Sequence, residues 1–426
     1  MESELLDRKL NIAFVSREYP PSKRLGGIAT YVSDTATSLA ENGHMVHVIA
    51  ASDDIHKTEE YIEKKVHVIR LSGSDFYIGK TASILNKIYS RWRRIFCYKS
   101  YRSKLADCLS YLVKEHGVEI VEFAEYGNES LIWAKKKRYV PMIIRLHGSA
   151  FLNRATGRQI SFKQAPLAWW FGRAEITGLQ QADAISSCSS NLAELEANFA
   201  QIAPETICVI PNAVKFKDMQ FKKESSDCKY HYFFPSAQYN IFSAGSVVEG
   251  KGFGDLVKAV AILRKGGMDI SVTIAGKLGK LGRKLTKQST NGDNPHTWLK
   301  LLGQISRKEL PQLYATADIV VFPSWWEPLG IVLLEAMTAG GLTIGSSAGG
   351  MKEVIKEGEN GFLIAPQNPA SLAKKIQQVL LLPTEKKKAI RIQAINTVKN
   401  NYNTSIIMDQ QIKLYRSTLN KFKLEK

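Results

Sequence analysis

Short runs of consecutive apolar residues recur along the chain, separated by stretches whose apolar positions fall three to four apart. Leu10–Ser16, Val46–Ala50, Val66–Leu71, Ile120–Phe123, Met142–Leu146, Ala184–Ser186 and Cys208–Ile210 are mostly apolar, interrupted by at most two polar residues each, and do not alternate strictly. That pattern predicts strands covered on both faces, as in a parallel sheet. Residues 28–42 place Ile28, Tyr31, Val32, Thr35 and Leu39 on one side of a helix, which Asn42-Gly43 ends. Strand, helix and strand make a βαβ unit, with parallel strands and a right-handed crossover. Residues 82–115 predict one or two basic helices. A polar, Lys-rich stretch, Pro211–Ser236, reads as a linker.

Beyond it the alternation resumes. Strands are predicted at 239–244, 270–275, 298–303, 319–322, 342–344 and 361–364. Helices are predicted at 255–265, 307–316, 330–339, 369–381 and 405–423. On the 330–339 helix, Ile331, Leu334, Ala336 and Met337 are available for the inner face. No internal repeat is present. The fold class expected is α/β, with a doubly wound sheet in each half.

The length of 426 residues predicts two domains. The net charge is +18, concentrated in the second half. It suits anionic nucleotides or lipid headgroups, and no nucleic-acid-binding motif accompanies it. Five scattered cysteines without a C-x-x-C pair suggest free thiols. The charged start, Met1–Lys9, lacks a signal-peptide core, and no apolar run is long enough for a membrane span, so a cytoplasmic location is expected.

The candidate chemistry centres on 323–354. Pro323 and Pro328 put Glu327 in a turn after a buried strand, and Glu335 follows inside the next helix. Two carboxylates so placed can face one cleft and take sugar or ribose hydroxyls. The helix start at Gly330-Ile331 offers backbone N–H groups to an anion. The spacing Glu327-x7-Glu335, with Ala336-Met337 and Gly349-Gly350-x-x-Glu353-Val354, resembles the acidic motif of retaining glycosyltransferases of family 4, which have the two-domain GT-B fold. The resemblance implies two Rossmann-like domains facing across a cleft: an acceptor-side domain at 1–212 and a nucleotide-sugar-binding domain at 213–404. It also implies a final helix, 405–423, that packs back on the first domain. Glu327 would contact the donor sugar and Glu335 the ribose.

Other segments match the same family. Gly26-Gly27, between the first strand and first helix, lets backbone amides approach a phosphate. With Pro20-Pro21 before it and Asn42-Gly43-His44 after it, this resembles the family's N-terminal signature. Arg145-Leu146-His147-Gly148 ends a strand, and the resemblance puts the His147 ring near the donor sugar. Gly245–Gly252 matches a diphosphate-binding segment in which Lys251 would meet the phosphates, but Ser246 stands where the family has Arg. Lys277, Lys280 or Arg283 could replace that cation. Gly303, in Leu302-Gly303-Gln304-Ile305, would contact the base. There is no Asp-x-Asp, so no metal is expected. The 80–104 segment interleaves basic and aromatic residues and, with Trp169-Trp170-Phe171, could meet an anionic membrane surface.

The resulting expectation is a retaining transferase that moves a hexosyl or N-acetylhexosaminyl unit from a nucleoside-diphosphate sugar to a hydroxyl of a glycan or lipid-linked acceptor. A GT-B nucleotide-sugar epimerase and a catalytically silent scaffold subunit of a polysaccharide assembly complex are the alternatives.

Overall fold

The computed structural model describes residues 8–22, 26–54, 56–73, 84–153, 157–219, 233–287 and 297–425. Two sheets organise the chain. In the first lie β1 (Asn11–Val15), β2 (Met45–Ala51), β3 (Glu59–Glu63), β4 (Val66–Leu71), β5 (Ile120–Ala124), β6 (Met142–Leu146), β9 (Ala184–Ser187) and β10 (Ile207–Val209); β7 (Leu152–Asn153) and β8 (Arg158–Gln159) form a small separate hairpin. The order is β10-β9-β6-β5-β1-β2-β4-β3. Every pairing is parallel except β3 with β4. Full burial of β1, β5 and β6 matches their continuous apolar runs.

The second sheet holds β11 (Tyr239–Ala244), β12 (Ile270–Ala275), β13 (Leu299–Gly303), β14 (Ile319–Phe322), β15 (Thr343–Ser346) and β16 (Phe362–Ile364). Its order is β13-β12-β11-β14-β15-β16, all parallel. In both sheets the order reverses beside the first strand, which opens a crevice at the strands' C-terminal ends. The fold is thus two doubly wound α/β units.

The chain passes between the units twice, and the two crossings touch. The Val214 amide donates to the Tyr402 carbonyl at 2.9 Å, and the Thr404 hydroxyl to the Val214 carbonyl at 3.2 Å. The last helix, Thr404–Leu424, then returns to the first sheet. There Gln411 and Tyr415 donate to the buried Glu122 of β5 at 2.7 and 2.8 Å, and Tyr31 donates from the other side at 2.8 Å. Burial pushes the Glu122 carboxyl upward, opposed by Arg145 and the two tyrosine hydroxyls.

Three sequence expectations change. The helix after β14 is Ile331–Thr338, and its buried face is Leu333–Thr338, while Ile331 is partly exposed. The edge strand β3 and the helix Thr384–Asn401 went unread: β3 alternates weakly, and the helix buries only Ile390, Ala394 and Val398. The 80–104 segment is a single helix from Ile84 to Glu115. Its residues 80–83 lie outside the described residues. Where its side chains are described, Tyr101 and Arg102 are buried, and Arg102 donates to the Gly127 carbonyl at 2.8 Å. Those two therefore belong to the core and not to a membrane-facing stripe. Among the described residues no helix is long and apolar enough to cross a membrane. Trp170 remains 67% exposed.

Candidate functional site

Glu327 sits in the turn that leaves β14, and its position follows from three glycines. Gly252 has φ +69°, and a Cβ there would lie 1.9 Å from the Pro323 carbonyl oxygen. A Cβ on Gly349, φ +79°, would lie 2.1 Å from the Glu327 carbonyl oxygen, and one on Gly350 2.1 Å from that of Pro328. Only glycine lets these loops close on the 323–328 turn. The Trp325 amide donates to the Gly250 carbonyl at 2.9 Å, the Trp325 indole to Asp255 at 2.7 Å, and the Gly350 amide to the Glu327 carbonyl at 2.8 Å. The turn is thereby fixed against the Gly250-Lys251-Gly252 loop, and the Lys251 ammonium forms an ion pair with the Glu327 carboxylate.

Gly330, φ +91°, caps the Ile331–Thr338 helix, which carries Glu335 at 3% exposure. Burial raises the Glu335 pKa, and Arg307 opposes the shift. Arg307 donates from Nε to Glu335 Oε1 at 2.9 Å and from Nη1 to Asp34 at 2.9 Å, and its Nη2 lies 2.7 Å from the same Glu335 oxygen as an ion-pair contact. Asp34 belongs to the Gly27–Glu41 helix of the first unit. Glu335 thus lies at a contact between the units. Neither Arg307 nor Asp34 is marked by a local motif; they come together only in the fold.

The first unit meets the Glu327 turn directly. Ser189 donates to the Pro328 carbonyl at 2.5 Å, and the Trp326 indole donates to Asn191 at 3.1 Å. Glu353 accepts from the Ser190 and Asn191 amides at 2.9 and 2.8 Å, at the N-terminus of the Ser190–Ala200 helix. A carboxylate there meets unsatisfied amides and the positive end of the helix dipole.

His147 follows β6 and is partly buried, with its ring edge-on to Tyr31 at 5.0 Å between centroids. Three buried glutamates hold its loop. The amides of His147, Ser149 and Ala150 donate to Glu125, Glu196 and Glu175 at 2.7, 2.7 and 2.6 Å. Sequence reasoning missed all three carboxylates. His44, part of the N-terminal signature, is structural: its Nδ1 accepts from the Leu10 amide at 3.0 Å. Burial pushes its pKa down, in keeping with a neutral acceptor ring.

Gly26 and Gly27 start the Gly27–Glu41 helix and are exposed. A Cβ on Gly26 would meet the Glu18 carboxylate at 3.0 Å, whereas Gly27 has open space around that position. Gly303, φ +70°, ends β13, again with open space there, and its carbonyl accepts from Gly276 at 2.7 Å. Ser246 is exposed, and the next residue, Val247, donates from its amide to the Lys277 carbonyl at 2.9 Å. Lys277, Lys280 and Arg283 are all exposed, Lys277 on the loop and the other two on the Lys280–Lys287 helix that follows it. Among the described residues no group of three or more His, Cys, Asp or Glu could hold a metal ion. A separate open cavity of about 860 Å³ lies beside β3, lined by residues such as Asp53, Glu59, Tyr61 and Arg70. None of the candidate site residues lines it.

Comparisons with known proteins agree with this architecture. Residues 25–217 match the model described as Glycosyltransferase Family 4, and residues 231–397 match Glycosyl transferases group 1. A glycogen synthase of Mycobacterium tuberculosis is 24% identical over 389 residues, covering 87% of this chain and 86% of that protein. Sucrose-phosphate synthase from Thermosynechococcus elongatus superposes with a TM-score of 0.79 at 19% identity, over 97% of this chain and all of that one. Anabaena HepE in complex with UDP and glucose superposes at 0.72 and 18% identity, over 96% of this chain and all of that one. The fold is GT-B. The chain is a GT-B glycosyltransferase that resembles family 4.

Proposed function

We propose that the protein transfers a hexosyl or N-acetylhexosaminyl unit from a nucleoside-diphosphate sugar to a hydroxyl of a glycan or lipid-linked acceptor, with retention of the anomeric configuration. The boundary between the acceptor-side and donor-side domains is placed at 212/213. The observation that carries this reading is the Lys251–Glu327 ion pair, held at the C-terminal end of the second sheet where the first unit closes over the same turn.

In this reading Lys251 leaves Glu327 for the donor diphosphate, since an ammonium complements phosphate charge. The freed Glu327 carboxylate accepts hydrogen bonds from donor-sugar hydroxyls. The Gly330 and Ile331 amides and the Gly26-Gly27 turn add donors for developing charge on the leaving diphosphate. Glu335 takes the ribose, the Gly303 backbone the base, and His147 the sugar near the reacting carbon. Lys277 replaces the cation missing at Ser246, because its backbone pairs beside that residue. The diphosphate oxygen accepts the acceptor's proton as the new glycosidic bond forms on the face the leaving group vacates. Closure of the units excludes water. UDP and glucose bound to HepE support a nucleotide-sugar donor.

Thermal unfolding with UDP, GDP, ADP and their sugars tests the donor site. One base should give stabilisation that grows with concentration; no shift with any of them sinks the reading. With the donor known, Glu335→Ala should mainly raise donor KM and Glu327→Ala mainly lower kcat. The reverse pattern overturns the assignment of the two carboxylates.

A further inference from the structure

We infer that Arg307 is a positioning residue that sets Glu335 for the nucleotide ribose and, through Asp34, links that setting to closure of the two units. The inference rests on the ribose role proposed for Glu335. A carboxylate as buried as Glu335 favours its protonated form unless a cation faces it. The charged and titratable groups facing it are Arg307, Asp34 and Tyr314; only Arg307 supports the anion. The Arg307 hydrogen bond and its closest ion-pair contact both go to Oε1. Glu335 Oε2 takes no hydrogen bond among the described residues, so it is the oxygen left for a ribose hydroxyl.

The geometry also needs arginine. A planar guanidinium can serve two carboxylates on different sides at once, which a single ammonium does less well. The backbone beneath it is anchored: Ser306 and Glu309 form a reciprocal capping box around residues 306–309. The second hydrogen bond, to Asp34, crosses to the helix that opens at Gly26-Gly27. Ribose binding and closure are therefore coupled through one side chain. When the units part, Arg307 loses Asp34 and the constraint on its orientation. When nucleotide engages Glu335, the arrangement that also satisfies Asp34 is favoured, by the same differential affinity.

The test is titration calorimetry with UDP, GDP or ADP, whichever binds, and its 2′-deoxy counterpart, from about pH 5 to 8. Arg307→Met should weaken ribonucleotide binding by roughly tenfold or more, the effect of losing charge-assisted hydrogen bonds. It should also raise the pH below which affinity falls, because Glu335 then protonates more readily. Asp34→Asn keeps the Arg307–Glu335 pair. It should move that pH limit down and not up, because the Asp34 charge itself raises the Glu335 pKa, lower affinity by only about two- to fivefold, and enlarge the nucleotide-free molecule in small-angle scattering. Arg307→Met with wild-type affinity and pH profile overturns the inference. If that variant does not fold, Arg307→Lys and Asp34→Asn decide, and wild-type affinity in both overturns it equally. Glu335→Gln separates the two readings. If it still discriminates ribo- from deoxynucleotide as the wild type does, the ribose role is wrong. If it loses discrimination while Arg307→Met behaves as wild type, only the role of Arg307 fails.

Discussion

At the residue scale, a single ion pair separates stability from activity. The Lys251 and Glu327 side chains are 32% and 16% exposed. Solvent screens a pair of that kind, so Lys251→Met should change unfolding free energy by less than about 1 kcal/mol. Its proposed task is different, because the ammonium meets charge that develops on the leaving diphosphate. Loss of one such preorganised donor typically costs on the order of 10²–10³ in kcat. Steady-state kinetics beside urea denaturation checks both halves, and near-normal turnover removes Lys251 from the mechanism. Glu327, Glu335 and Lys251 were legible because motif spacing carries them. Arg307, Asp34 and the three glutamates beneath His147 were not. Each is a charge whose partner is far away in the chain, Arg307 and Asp34 being 273 positions apart. No local pattern marks such a residue as buried.

At the element scale, strands and loops impose what the site needs. Continuous apolar runs made most central strands readable to within a residue, since full burial on both faces leaves one pattern. The edge strand β3 carries three glutamates and half-exposed positions, so its sequence reads as a loop. The glycines were legible as turns, but their purpose was not. Gly349-Gly350 enters the sequence reading only as part of the acidic motif, and the structure shows it seated against the backbone of the Glu327 turn. Gly252→Ala should therefore do more than lose a flexible residue. It strains φ and drives a Cβ into the Pro323 carbonyl, which should cost about 1–3 kcal/mol and move Lys251 off Glu327. Urea unfolding should show the loss, and donor KM should rise. Full stability in Gly252→Ala would mean that the loop does not pack as described.

A second element-scale prediction concerns acid. His47 of β2 is paired in register with His67 of β4, their Nδ1 atoms 2.8 Å apart, and His116 stands 5.6 Å from His47 between ring centroids. Burial, then the two neighbouring histidines, push the His47 pKa down to about 4. The unfolded chain binds that proton more readily. The contribution of His47 is therefore fully present above its ordinary range near 6.5 and is lost as pH falls toward 4. Urea denaturation between these limits should show stability falling with pH, and more gently in His47→Leu. Equal slopes for the two proteins would remove His47 as the cause.

At the scale of the whole molecule, the two units are joined by specific polar contacts that converge on the turn bearing Glu327. Ser189 holds the Pro328 carbonyl, Asn191 the Trp326 indole, and Glu353 the first amides of the Ser190–Ala200 helix. The Arg307–Asp34 pair closes the cleft elsewhere, at the Gly27–Glu41 helix. Glu353 was legible as part of the family motif, but not as a clasp, because its partners belong to the other unit. A carboxylate accepting two amides at a helix start makes strong, charge-assisted hydrogen bonds. Removing it leaves both amides without that partner and one link fewer between the units. Glu353→Ala should thus enlarge the nucleotide-free protein in small-angle scattering. It should also raise donor hydrolysis relative to transfer, since a looser cleft admits water to the reacting carbon. Unchanged scattering together with an unchanged ratio of hydrolysis to transfer would show that Glu353 does not govern closure, leaving it to the Ser189, Asn191 and Arg307–Asp34 contacts.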